Sequence, residues 1–119
     1  MTLEEVKTFL EADVLCGQHW LDRDVKSCFA CDMISEMLLY VTSGALLITS
    51  LTNAHVLHTA QIMEACGVVF VGGKKPDQAF IEQSDQNNIP LLSTKHLVFQ
   101  CCGLLFSNGL QGVTADESS

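Results

Sequence analysis

Three short segments carry side chains able to hold a small polar ligand: Thr49-Ser50-Leu51-Thr52-Asn53, Gly72-Gly73-Lys74-Lys75 and Ser93-Thr94-Lys95. Hydroxyls and side-chain amides orient polar groups, and two ammonium groups beside free glycine amides attract an anion. The candidate ligand residues are therefore Thr49, Ser50, Thr52, Asn53, Gly72, Gly73, Lys74, Lys75, Ser93 and Thr94. The ligand class they fit is a small anionic metabolite or a nucleotide. The same residue types are ordinary helix caps, so Thr52, Asn53 and Thr94 also have a purely structural reading. Gly67 to Lys74 falls short of a nucleotide-hydrolysing phosphate loop, because the lysine is one place late and Val68, Val69, Phe70 and Val71 read as a buried strand.

The other reactive residues point less clearly to a site. Asp22, Arg23 and Asp32 have the charges for an ion-pair network pinning a loop, with ligand binding as the alternative. Ser35, three residues after Asp32, reads as a first-turn hydroxyl. Cys28 and Cys31 have the spacing of a metal pair, but no second pair follows, and on a strand that spacing places them on opposite faces. Cys101 and Cys102, with Leu97, Val98 and Leu105, read as core positions of the last helix. His55 and His58 lie one turn apart with Gln61 and Glu64 on what reads as a solvated helix side. No cofactor is called for.

These segments need elements to bring them together. Thr2 and Glu5 have capping-box spacing, which predicts a helix over Leu3 to Ala12. Short strands are expected at Asp13 to Cys16 and Asp24 to Ala30, with a turn at Gly17 to Trp20. From Asp32, a plausible N-cap, Met33, Ile34, Met37, Leu38 and Val41 recur at helical spacing up to a Gly44 stop. Apolar strands at Ala45 to Thr49, Gly67 to Val71 and Ile89 to Leu92 then alternate with helices at Ala54 to Ala65, Pro76-Asp77 to Asn87 and His96 to Ser107. Strands apolar throughout, separated by helical crossovers, predict a single α/β domain with a mainly parallel sheet and covering helices. In such sheets ligands collect at the carboxyl ends of the strands, where all three polar segments would lie.

At 119 residues the chain is one domain, expected over 1–110, followed by a flexible tail at 111–119. Its net charge of −8 disfavours nucleic acid and anionic membrane surfaces as partners. Met1 to Leu10 carries Glu4 and Glu5 and lacks the features of a signal peptide, and Met37 to Leu51 is too short and too interrupted to cross a bilayer, so a cytoplasmic location is expected. In that compartment the six cysteines are expected as thiols. Phe29, Tyr40, Phe70, Phe80, Phe99 and Phe106 are many large groups for a small core to hide, which favours a homodimer.

Leu21-Asp22-Arg23-Asp24-Val25, Ser27-Cys28, Asp32 and Ser35, the turn Gly72-Gly73-Lys74-Lys75-Pro76-Asp77 and the closing Ile89-Pro90-Leu91-Leu92-Ser93-Thr94 together resemble the DRTGG domain. Asp22-Arg23 matches the start of its motif, and Ser27-Cys28 stands where the paired glycines would be. The resemblance implies an α/β fold like the N-terminal domains of HPr kinase and MurF. It also implies a regulatory or dimer-forming role, because such domains occur alone, beside CBS domains in regulated pyrophosphatases and in phosphotransacetylase-like proteins. The expected function is a non-catalytic, ligand-sensing and dimerising module. The alternatives are a metal or redox protein using Cys28 and Cys31, or a phosphotransferase-related enzyme.

Overall fold

The structure, a computed structural model, describes residues 1–40 and 42–115. Helix α1 (Leu3–Leu10) opens on the expected capping box: Thr2 accepts from the Glu5 amide while Glu5 accepts from the Thr2 amide. It ends two residues early because Glu11 turns left-handed at φ 51°. Strand β1 (Asp13–Cys16) and a 3-10 turn (Gln18–Trp20) follow. Strand β2 spans only Ser27–Ala30, since Asp24 and Val25 pair instead with Thr2 and Met1.

The remaining chain alternates as anticipated: α2 (Ile34–Tyr40), β3 (Ala45–Thr49), α3 (Ala54–Ile62), β4 (Gly67–Phe70), α4 (Gln78–Gln86), β5 (Leu91–Ser93) and α5 (Val98–Ser107). Asp77 caps α4 by accepting from the Phe80 amide, and Asn53 caps α3 by accepting from His55. Asp32 does not cap α2; its carboxylate turns instead to the end of β3. Val41, expected on the α2 stripe, lies outside the described residues.

The five strands form one sheet in the order β1-β5-β4-β3-β2. All neighbours run parallel except β1, which is antiparallel to β5. Side chains alternate across this sheet. Leu46, Ile48, Val69 and Leu92 pack beneath Val6 and Leu10 of α1 and Cys101 and Leu105 of α5. On the other face Leu47, Val68, Phe70 and Leu91 pack against Met37, Val56, Ala60 and Phe80 from α2, α3 and α4. Two helices therefore cover one face and three the other. Residues 111–113 pair with Cys28 on the free edge of β2, so an ordered segment continues past the expected domain end at 110. Residues 116–119 of the expected tail lie outside the described residues.

Candidate functional site: the strand-end rim

The register decides what meets at the carboxyl ends. Thr49 lies beside Phe70 and Phe70 beside Ser93, so the loops after β3, β4 and β5 leave the sheet side by side. Antiparallel β1 brings Asp13 to the same rim, opposite Ser93. The three segments singled out above are thus neighbours, although most of their polar groups are already engaged with one another.

At the β3 end, Asp32 collects the Thr49 hydroxyl at 2.8 Å, the Ser50 amide at 2.7 Å and the Ser50 hydroxyl at 2.5 Å. Partial desolvation raises the proton affinity of this carboxyl, but the Ser50 and Thr49 donors and the charge of Lys74 outweigh it and hold the group below its ordinary value. The Thr49 hydroxyl also accepts from the Leu51 amide, and its residue is fully buried. These groups close the loop on itself. Thr52 stays half-exposed, and Asn53 caps α3.

The turn after β4 differs from expectation in one respect. Gly72 and Gly73 take positive φ, 68° and 73°, which suits glycine, and this geometry turns their amides inward. Gly72 donates to the His96 carbonyl at 2.9 Å, Gly73 to the Thr94 carbonyl at 2.8 Å, and Lys74 back to Val71. Those amides are therefore not open to an anion. The neighbouring hydroxyls are bound in the same way: buried Ser93 donates to the Lys74 carbonyl, and buried Thr94 donates to Leu10 at 2.7 Å while accepting from the His96 amide.

The lysines remain. Lys74, Lys75 and Lys95 are exposed and make no ion pair among the described residues. Lys75, Lys95 and His96 line an open cleft of about 490 Å³ together with Asp13, Glu11 and Gly73. Glu11 approaches His96 Nε2 at 3.4 Å. Asp13 and Glu11 were not among the sequence candidates, because only the antiparallel placement of β1 and the turn after α1 bring them here; His96, next to Lys95, reads from the sequence as the start of the last helix, which begins at Val98 instead.

The motif residues sit at the opposite end of the sheet. The Arg23 guanidinium lies 4.8 Å above the Trp20 ring and donates to the carbonyl of Cys66, just before β4. The expected network of Asp22, Arg23 and Asp32 is not formed: no ion pair links them among the described residues, and Asp32 is engaged at the far rim. Ser35 is exposed in the first turn of α2.

Cys28 packs with the α1–α5 layer and Cys31 with the other layer, so the two thiols do not face each other. Among the described residues no three potential metal ligands gather. All six cysteines are free, and burial pushes Cys28 and Cys66 up to about 12. Such thiols are protonated, weak nucleophiles at neutral pH. His55 and His58 are exposed on α3. Cys101 and Leu105 are core residues as expected, whereas Leu97 is 64% exposed and Cys102 half-exposed.

No helix among the described residues is long and apolar enough to cross a membrane. A comparison with curated proteins gives no match. Among solved structures, the chain is similar to the CBS and DRTGG domains of the regulatory region of Clostridium perfringens pyrophosphatase, a structure complexed with the activator diadenosine tetraphosphate. The two share 18% identity at a TM-score of 0.74, covering 98% of this chain and 49% of that one, so this chain spans about half of the relative's length. The likeness is one of fold. The family profile for the DRTGG domain matches residues 5–105, which takes in the Asp22-Arg23 loop, all five strands and the lysine-bearing rim; the chain belongs to the DRTGG domain family.

Proposed function

We propose that this DRTGG domain is a non-catalytic regulatory module of the cytoplasm that senses a small phosphate-bearing anion, a metabolite or nucleotide, in the cleft at the β4–β5 end of the rim, and that it acts as a homodimer. The observation that carries the reading is a concentration of charge: the chain has six Lys and Arg against fourteen Asp and Glu, and half of the six, Lys74, Lys75 and Lys95, lie in the loops after β4 and β5 at one rim and make no ion pair among the described residues. Ammonium groups gathered on neighbouring loops of an acidic protein raise the local positive potential and attract an anion, against the Glu11 and Asp13 carboxylates that line the same cleft. The similar pyrophosphatase regulatory region, with its phosphate-rich activator, supports the ligand class. Ligand contacts are assigned to Lys75, Lys95 and Lys74, with half-exposed Thr52 within the same rim, while Ser50 is engaged by Asp32. Thr49, Ser93, Thr94, Gly72 and Gly73 shape the loops through the bonds described above.

The test is a thermal-shift titration with pyrophosphate and ATP on the wild type and on the Lys75→Ala/Lys95→Ala double variant. A rise in melting temperature that the double variant loses is expected, since a ligand bound only by the folded state must stabilise it. Equal shifts in both proteins would remove the cleft from the proposal.

The Ser50 hydroxyl on the Asp32 carboxylate also suggests a second reading, a phosphotransferase-related enzyme with Asp32 as base. Its proton affinity argues against that role, because three donors hold the carboxyl below its ordinary value and so weaken it as a base. Turnover of an acyl phosphate or nucleotide that Asp32→Asn abolishes would restore the enzyme reading.

A further inference from the structure

Helix α5 is the least polar surface element of an acidic protein. Its ten residues, Val98–Ser107, include no charged side chain in a chain of net charge −8. Cys101 and Leu105 anchor it to the core, yet Phe99 is 87% exposed and Phe106 66% exposed. Seven residues apart, the two rings lie on one stripe of the helix. Four other aromatics find ring partners: Phe70 packs edge-on against Phe80 at 5.8 Å, and Phe29 lies against Tyr40 at 5.9 Å.

The sheet beside α5 is also incompletely covered. Among the described residues α1, α5 and the segment around Leu110 and Gly112 lie on this face, and Cys28 and Ala30 of β2 remain half-exposed. They form the floor of an apolar groove of about 320 Å³, with Phe99, Cys102, Gly103 and Phe106 along its side. A Cβ placed on Gly103 would meet nothing within 4 Å, so another backbone or ring can come close there.

We propose that a second copy of this chain fills the groove, α5 against α5 about a two-fold axis, with Phe99 of each copy seated over Cys102 and Gly103 of the other. The inference rests on the homodimer reading above and names its surface. One feature selects a second copy over an unrelated partner. A two-fold interface must be self-complementary, and here projecting rings and the gap that receives them lie on the same stripe. Charge is compatible with this face as well, because two copies of an acidic chain repel each other least where carboxylates are absent; α5 has none and, unlike the equally uncharged α3, carries two exposed aromatic rings. At about 15 Å, the helix is short against the roughly 800 Å² per partner of a stable interface, so association should depend on concentration.

The experiment measures molar mass by light scattering across a concentration series reaching the millimolar range. The wild type is expected to move from the chain's 13.0 kDa toward twice that mass. Phe99→Asp should weaken association at least tenfold and hold the protein at the single-chain mass. Leu39→Asp, on α2 of the opposite face, should leave the wild-type behaviour unchanged. Circular dichroism checks folding; should Phe99→Asp fail to fold, Gly103→Leu decides, because leucine favours the helix while filling the gap. A wild type that stays at 13.0 kDa overturns both the surface and the homodimer reading. A dimer that neither Phe99→Asp nor Gly103→Leu weakens overturns the surface alone. The pyrophosphate titration, repeated on the monomeric variant, reports on the ligand reading separately.

Discussion

At the β3 end of the rim one carboxylate, Asp32, gathers the Thr49 and Ser50 donors, and nothing cationic is within ion-pair distance of it among the described residues. At the β4–β5 end Ser93 and Thr94 send their hydroxyls into main-chain carbonyls, and exposed lysines stand free above them. The residue types of the two loops look alike on paper. Their difference lies in where the charge is: the first end is completed internally by the Asp32 carboxylate, whereas the hydroxyls of the second are completed by main-chain carbonyls and its lysines, exposed beside Glu11 and Asp13, make no ion pair among the described residues. A hydroxyl-rich loop after a strand is therefore as much a device for closing the rim as for binding. The candidate ligand groups are those left over after the internal hydrogen bonds are made.

The comparison breaks most visibly at its buried hydroxyls. Thr94→Val keeps the shape of the side chain but strips the Leu10 carbonyl and the His96 amide of their partner in a site only 3% exposed. A loss of about 3 kcal/mol is expected from two buried groups left unsatisfied, read as a lower denaturant midpoint at unchanged slope. Asp32→Ala removes more bonds but from an exposed position, where water can replace the carboxylate, so about 2 kcal/mol is expected. If Asp32→Ala proved neutral, the β3 end would not be internally completed and Ser50 would return to the list of free ligand groups.

Much of this architecture is legible in the residues. Apolar strands such as Ala45 to Thr49 and Gly67 to Phe70 could be buried on both faces only in a parallel sheet, and the register then obliged their polar ends to meet. The Thr2–Glu5 box was readable from spacing alone, and Pro76-Asp77 marked the start of α4, although only the structure shows Asp77 as its cap. What spacing could not show was pairing between distant segments. Asp32 satisfies Thr49 seventeen residues away, and Thr94 reaches Leu10 across eighty-four, so neither bond has a local signature. The same holds for Asp13 and Glu11: a strand's direction relative to its neighbour decides which end of it reaches the rim, and β1 runs against the rest. Phe99 and Phe106 were suspected as surplus apolar groups, but only their exposure separates them from Phe70 and Phe80.

Two lysine variants sharpen the comparison at smaller amplitude. Lys95→Ala should leave stability within about 0.5 kcal/mol, as expected for an exposed, unpaired side chain. It should weaken pyrophosphate binding about tenfold, equal to about 1.4 kcal/mol. Calorimetric titration measures both the loss and its salt dependence. Unchanged affinity would move the anion away from the β5 side.

The smallest effect expected is that of Lys74→Ala, and it discriminates between the two ends. Lys74 lies between them, and its charge helps to hold the Asp32 carboxyl below its ordinary 3.8. A carboxyl depressed in the folded state contributes stability that is present above the unfolded value and is lost as pH falls through the folded one. Stability should therefore be level near neutrality and begin to fall below about pH 4, and Asp32→Asn should remove that part of the acid limb. Removing Lys74 raises the Asp32 carboxyl toward its ordinary value. The limb attributed to Asp32 in Lys74→Ala should then be shallower, by no more than about 0.5 kcal/mol because the ammonium is exposed and screened. Urea denaturation at a series of acid pH values, run beside Lys95→Ala as the control, reads this directly. An acid limb altered by Lys95→Ala but not by Lys74→Ala would place Lys95, not Lys74, beside the carboxylate.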